Sequence, residues 1–130
     1  MPTLIKIDTN PSFALKHHHY AINISQLTDI IADPLQKEIE TLLINADKSF
    51  IFNFTNVKNI SEVVVELFLN FEDALNNKNL FAVVYGCSPV LEEIIDSYNL
   101  LQQLAPADTY HEAIEDIEAD KASLHNDFDF

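Results

Sequence analysis

Residues 52–66 read FNFTNVKNISEVVVE, and this stretch decides the fold class that the sequence predicts. Its first residues belong to segment 49–55 (SFIFNFT), which is rich in aromatic residues and too short for a buried helix, so it predicts a central strand. The polar residues that follow predict a turn. Residues 61–76 then predict a helix with one apolar stripe, formed by Val64, Leu67, Phe68, Phe71 and Leu75.

The segments before this unit predict a hairpin and a helix. Residues 3–8 alternate apolar and polar side chains, and residues 13–24 form a second extended stretch after a turn at residues 10–12. The next helix is expected to begin near Asp33, whose side chain can cap it, because Pro34 is tolerated only in a first helical turn. Its apolar face consists of Ile31, Leu35, Ile39, Leu42 and Leu43.

The segments after this unit predict two further strands and two helices. Residues 80–85 (LFAVVY) form a continuous apolar run, as expected of a strand covered on both faces. Ser88 and Pro89 predict the cap and first residue of a helix that extends over residues 90–98. Residues 100–104 predict a short last strand. A final helix is indicated by four residues at helical spacing: Tyr110, Ala113, Ile114 and Ile117.

The alternation of strands and helices predicts one α/β domain. We expect a mixed β-sheet whose later strands pair in parallel, with helices packed mainly on one face. Residues 1–120 are assigned to this domain and residues 121–130 to an acidic C-terminal tail. The length of 130 residues and the hydrophobic fraction of 48% are sufficient for one domain with its own core.

Several features of the sequence predict a cytoplasmic location. Glu66 and Asn70 interrupt the longest apolar runs, so no stretch is predicted to span a bilayer. The first residues lack the basic and apolar regions of a secretory signal. Cys87 is the only cysteine, which excludes an intrachain disulfide and favours a reducing compartment.

The chain is strongly acidic, with 7 basic and 21 acidic residues and a net charge of −14. Such a surface repels polyanions, so neither nucleic acid nor membrane is an expected partner. Residues 108–130 carry eight of the acids and only Lys121 as a base. Phe128 and Phe130 alternate with acids at the C-terminus, where they could fold back, dock into a partner or stay disordered.

Two strand–turn–helix units, residues 50–64 (FIFNFTNVKNISEVV) and residues 81–100, resemble the pattern of bacterial anti-sigma factor antagonists, which have the STAS fold. In that family, an apolar strand ends in a turn with the sequence Asp-Ser-Ser-Gly, and a helix follows. The resemblance covers residues 13–117 and rests on the order of elements and the hydrophobic pattern. It implies a STAS-like fold.

The resemblance also implies a non-catalytic regulatory module that binds a protein partner, either an anti-sigma factor or its serine kinase. The implied partner-binding residues are Asn59, Ser61 and Glu62 at the turn and Ser88 at the neighbouring loop. A constitutive partner or scaffold role is equally compatible with these residues.

The chain departs from this family at the phosphorylated position. When the pattern is anchored on Val57 and Ile60, the usual phosphoserine falls on Val63, which has no hydroxyl, and the glycine falls on Val64. Ser61, two positions earlier, is the only hydroxyl that could be phosphorylated there.

Three interpretations of this turn are open. Ser61 could carry a phosphate whose charge changes partner binding. Glu62 could mimic a phosphate, because a helix N-terminus favours a negative charge. In the third interpretation, which the sequence favours, Asn59 or Ser61 caps the helix and Glu62 is an ordinary acid of its first turn.

The remaining reactive side chains predict neither catalysis nor a metal or cofactor. On a strand only His17 and His19 share a face, and no further ligands lie near them in sequence, so structural histidines are expected. Cys87 follows Gly86, the only glycine, and is expected to be a packed residue without an oriented base. An alternative function is a small-ligand-binding or transport-accessory domain, in which the turn and residues 86–88 line a pocket.

Overall fold

A computed structural model of the chain describes residues 5–7 and 17–126, with side chains described for residues 17–119. In chain order, the strands are β1 (Ile5–Ile7), β2 (His17–Ile22), β3 (Gln26–Leu27), β4 (Ser49–Asn53), β5 (Asn59–Ile60) and β6 (Ala82–Tyr85). The helices are α1 (Ala32–Ile44), α2 (Glu62–Asn76), α3 (Pro89–Ser97), α4 (Leu101–Leu104) and α5 (Tyr110–Asn126).

Four of the strands form one mixed sheet in the order β1-β2-β4-β6. β1 pairs antiparallel with β2, whereas β2, β4 and β6 are parallel to one another. The predicted antiparallel pair at the start and the predicted parallel pairing of the later strands are therefore confirmed. The predicted turn at residues 10–12 lies outside the described residues.

The central strand β4 has one side chain after another in the core because both of its faces are covered. Phe50 and Phe52 face α1 and α2, and their rings make edge-to-face contacts with Phe71 and Phe68 at centroid distances of 5.1 and 5.3 Å. Ile51 points to the other face, where it packs with residues of α5. Such ring pairs stabilise the core beyond the area they bury.

The helices are distributed over the two faces of the sheet as predicted, mainly on one. The larger core cluster joins β4 to α1, α2 and α3, whereas α5 is the one helix of the described residues that covers the opposite face, with Ala113 and Ile117. The predicted stripe of the final helix is thus confirmed. This helix continues to Asn126, so the predicted boundary at residue 120 falls inside it, and the C-terminal phenylalanines lie outside the described residues.

Two details of the predicted elements are wrong. Asp33 does not cap α1: a 3-10 turn (Asp29–Ile31) leads directly into the helix, and Asp33 is its second residue. Residues 100–104 do not form a strand, because α4 lies there and Leu104 is buried in the core. Instead, Ala107 occupies the edge of β6, where its N–H donates to the Val84 carbonyl (2.8 Å).

Truncation of the central aromatic residue Phe52 tests this core. We expect Phe52→Ala to lower the free energy of unfolding by about 3–5 kcal/mol, because it leaves a cavity among the rings that face α2. Urea denaturation followed by circular dichroism measures the change. The control is Ile44→Ala, whose side chain is 77% exposed and should change stability by less than about 0.5 kcal/mol. Equal effects of the two variants would contradict the described packing.

Candidate partner-binding site

The chain leaves the central strand through a polar turn that is closed by its own side chains. Residues 54–61, between β4 and α2, are called the strand–helix turn below. The Asn53 side-chain oxygen accepts hydrogen bonds from the backbone N–H of Thr55 (2.9 Å) and from the Thr55 hydroxyl. The Phe54 N–H donates to the Tyr85 carbonyl (2.8 Å), and the Phe54 side chain is fully buried. The first half of the turn is therefore held by the sheet and the core.

The second half of the turn is held by a short parallel pairing that the sequence did not reveal. β5 pairs with β3, so that Ile60 lies opposite Leu27. The N–H groups of Lys58 and Asn59 both donate to the Ser25 carbonyl (2.8 and 3.0 Å). The Ser61 N–H donates to the Leu27 carbonyl (2.9 Å). A strand of two residues is too short to show an alternating pattern, so the sequence did not predict β3 or β5.

Gly86 allows the neighbouring loop to approach the turn closely. Its φ of +82° is unfavourable for any residue with a side chain. A Cβ atom at this position would lie 2.7 Å from the Thr55 hydroxyl oxygen and 3.2 Å from the Asn53 side-chain oxygen. Both the backbone conformation and the limited space therefore favour glycine at this position.

The two serines predicted to bind a partner serve as helix caps. The Ser61 hydroxyl oxygen accepts a hydrogen bond from the Val64 N–H (3.4 Å), and the Ser88 hydroxyl oxygen accepts one from the Leu91 N–H (3.1 Å). The predicted caps of α2 and α3 are thereby confirmed. Both hydroxyls satisfy N–H groups that have no partner inside their own helix.

The other two predicted residues, Asn59 and Glu62, differ in their surroundings. The Asn59 side-chain oxygen accepts a hydrogen bond from the Ile60 N–H (2.9 Å), so it does not cap α2. Glu62 is the first residue of α2 and is exposed at the positive end of the helix dipole. The structure brings Asn59, Ser61 and Glu62 together at one turn. It places Ser88 at the start of α3. α3 packs against β5, and at the other end of this helix the Tyr98 hydroxyl donates a hydrogen bond to the Ile60 carbonyl (2.8 Å).

Exposed aliphatic side chains at this edge of the sheet were missed by the sequence interpretation. Val63, Val90 and Ile30 are 46%, 62% and 90% exposed, respectively. Each is the second residue of a helical segment: α2, α3 or the 3-10 turn before α1. The sequence contained a signal for these residues. An aliphatic residue in a first helical turn that lies outside the apolar stripe of the helix is not needed for the core, so it is a candidate for an exposed contact.

The histidine run alternates between the faces of β2 as predicted. His17 and His19 are buried on the face covered by α5, where His19 stacks on Tyr110 (4.4 Å between ring centroids). His18 lies on the other face, and its Nε2 is 2.7 Å from Asp47 Oδ1. Between residues 17 and 119, no group of three or more histidine, cysteine or acidic side chains is placed to hold a metal ion.

Cys87 lies next to the turn, but its environment disfavours the reactive thiolate. Burial, together with the negative charge of Glu92, raises the pKa of Cys87 from 9.0 to about 12. The thiol is therefore protonated at neutral pH, and this matches the expectation of a packed cysteine.

Three grooves of the described surface lie away from the turn. One of about 490 Å³ is lined by residues of α2 and by Gln103, and two others lie beside β6 and between α1 and α2. None of their lining residues belongs to the turn or to residues 86–88. No helix of the described residues is long and apolar enough to cross a membrane.

Comparison of three-dimensional structures defines the fold. No protein-family model matches the sequence, and no curated protein matches it either. The anti-sigma factor antagonist SpoIIAA in its unphosphorylated form superposes with a TM-score of 0.66 at 16% identity, over 88% of this chain and 96% of SpoIIAA. An anti-sigma-factor antagonist (STAS) domain protein from Planctomyces limnophilus gives 0.65 at 12% identity, over 87% of this chain and 96% of that protein.

A transport protein has the same fold. A sulfate transporter family protein from Wolinella succinogenes superposes with a TM-score of 0.62 at 17% identity, over 85% of this chain and 89% of that one. The chain therefore has the STAS fold, as its strand–turn–helix pattern implied. This fold is found in structures of more than one functional class.

Substitution of Gly86 tests the close approach of loop and turn. We expect Gly86→Ala to lower the free energy of unfolding by about 1–3 kcal/mol, because a non-glycine residue is strained at positive φ. Urea denaturation measures the loss. In a Thr55→Ala background the same substitution should cost less, since the nearest contact of the new Cβ has been removed. An undiminished cost in that background would show that the Thr55 hydroxyl does not limit the space.

The reactivity of Cys87 tests its partly buried position. At pH 8 we expect its thiol to react with a disulfide reagent at least about tenfold more slowly in the folded protein than in urea, because little thiolate forms. The unfolded thiol ionises first as the pH rises. The free energy of unfolding should therefore fall above about pH 9, where the unfolded thiol titrates. Cys87→Ser should remove that part of the decline. Equal reaction rates in the two states would contradict the burial.

Proposed function

We propose that this protein is a non-catalytic regulatory module that binds a protein partner at the strand–helix turn. The observation that carries the proposal is the exposure of Glu62 and Val63 at the start of α2, which the hydrogen-bonded turn holds against the segment before α1. The similarity to SpoIIAA, whose structure is known in an unphosphorylated and a phosphorylated form, supports a regulatory role of this kind. An anti-sigma factor or a serine kinase is the class of partner that the resemblance implies, and the cytoplasm is the proposed location.

The partner-binding residues that we propose are Asn59, Ser61, Glu62 and Ser88. They contribute in different ways, because the hydroxyls of Ser61 and Ser88 and the amide oxygen of Asn59 accept backbone N–H hydrogen bonds. These three residues hold the shape of the site. Glu62 is exposed and offers its charge to a partner.

Binding is proposed to be independent of phosphorylation. Val63, at the position where the family has its phosphoserine, cannot accept a phosphate. Ser61 carries a hydroxyl, but this group caps α2 and is only partly exposed. A phosphate on Ser61 would also stand beside the Glu62 carboxylate, and like charges repel.

Purification of the tagged protein from its own host tests the proposed site. The wild type should retain a defined protein partner, and Glu62→Lys should abolish retention, because it reverses the charge at the start of α2. The control is Glu40→Lys, which makes the same change of charge at an exposed position of α1. Loss of the partner with both variants, or with neither, would contradict a site at the turn.

Intact mass spectrometry of the same material tests the role of Ser61. We expect no phosphate on Ser61. The Ser61→Ala variant, once urea denaturation has shown that it is folded, should retain as much partner as the wild type. Loss of a cap is expected to cost only about 1 kcal/mol of stability. A phosphate that disappears with Ser61→Ala would establish the switch that we propose to be absent.

A small-ligand or transport-accessory function is the competing proposal, and the fold of the sulfate transporter family protein supports it. The three grooves described above do not include the turn or residues 86–88, so none of these three is the pocket that this function would place there. A carrier should show a rise in melting temperature with a panel of metabolites and anions and retain no partner. A binding module should show the reverse.

A further inference from the structure

We propose that the partner is recognised mainly by aliphatic contact with Ile30, Val63 and Val90, called here the helix-start surface. This inference rests on the proposed function and names the chemistry of the same site. Among the described side chains, four large hydrophobic residues are strongly exposed, and these are three of them. The fourth, Ile44, ends α1 at the other edge of the sheet.

The topology places the three residues at one edge of the sheet. β2, β4 and β6 are parallel, so the helical segments that follow them begin at the carboxyl ends of the strands. Leu27 and Ile60 are directly paired, and Ile30 and Val63 each follow three residues later. α3, which carries Val90, packs against β5. A partner that touches the start of α2 therefore meets its neighbours as well.

The polar groups at this edge do not compete for the partner. The side-chain oxygens of Ser61, Ser88 and Asn59 already accept hydrogen bonds from backbone N–H groups. If one of these oxygens turned towards a partner instead, its backbone N–H donor would be left unsatisfied. Water is released most readily from the aliphatic side chains. Central apolar contacts surrounded by polar residues are typical of protein interfaces.

The charges around the helix-start surface define the chemistry of the partner. Each aliphatic residue has an exposed acid as its sequence neighbour or one turn away, at the i+3 position: Asp29 and Asp33 beside Ile30, Glu62 and Glu66 beside Val63, and Glu93 beside Val90. In residues 25–34, 54–66 and 86–93, the only basic residue is Lys58. The complementary partner is a protein surface with an apolar centre and a lysine- and arginine-rich rim.

A second copy of the chain does not fit this surface. Two copies that met through it would bring their acidic rims together, and each chain carries a net charge of −14. Like charges brought together at an interface oppose association. The same repulsion excludes anionic lipid and nucleic acid as occupants. The partner is therefore a different protein whose contact surface has a basic rim.

The experiment compares aspartate substitutions at exposed positions. The tagged full-length protein is purified from its host as wild type, Ile30→Asp, Val90→Asp and the control Ile44→Asp, and urea denaturation checks that each is folded. Partner recovered with Ile30→Asp or Val90→Asp should fall at least about tenfold relative to wild type and Ile44→Asp, because a charge is buried in the apolar contact. Photo-crosslinking from position 90 should map to a partner segment that contains apolar residues flanked by lysine or arginine.

The outcomes separate this inference from the proposed function. If wild type retains a partner and all three aspartate variants retain it equally, the helix-start surface is wrong while the proposed function stands. If the crosslinked segment is acidic, or if wild type self-associates in sedimentation and Val90→Asp abolishes this, the stated partner chemistry is overturned. If wild type retains no partner, the proposed function fails and the inference fails with it.

Discussion

The hydrogen bond from the Ser61 N–H to the Leu27 carbonyl (2.9 Å) is the interaction on which the geometry of the site depends. It fixes the residue at which the turn ends and α2 begins, and it ties that point to the segment that leads into α1. Because Ile60 is fully buried beside it, the start of α2 cannot shift without opening the core. A backbone contact thus fixes the start of α2 relative to the 3-10 turn before α1.

This constraint is consistent with the structural role of the two serine caps and with the exposure of the valines two residues after them. Every parallel strand of the sheet is followed by a helical segment, and each helix start has backbone N–H groups that need acceptors. The side chains of Ser61 and Ser88 each supply one such acceptor. Their hydroxyl oxygens are therefore already hydrogen-bonded within the protein and are less available to a partner. Val63 and Val90, two residues after these caps, are exposed instead.

Much of the fold was predictable because its strongest signals are local and periodic. The aromatic run of β4, the apolar stripe of α2 and the Ser88–Pro89 start of α3 each indicate their element without reference to the rest of the chain. The pairing of β3 with β5 was not predictable, since two-residue strands have no period. Residues 100–104 (LLQQL) were misassigned because a five-residue segment with three leucines fits a strand or a short helix. The residue that the structure places at the edge of β6 is Ala107.

The local positions of the candidate residues were predictable, whereas their role in binding a partner stays a prediction. Asn59, Ser61, Glu62 and Ser88 lie at the turn and the adjacent helix start, and the sequence could name the caps. It could not show that Val63, Val90 and Ile30 form one exposed edge, because their proximity depends on strand pairing between distant segments. Nor could it show how close Gly86 comes to Thr55.

The central claim is that a partner covers the starts of the helical segments at the carboxyl edge of the sheet. Hydrogen exchange of the free protein and of the complex from its host tests this most directly. The account predicts new protection in residues 29–33, 61–66 and 88–93, with exchange in α5 unchanged. Protection confined to α5, or to the far end of α1, would contradict it.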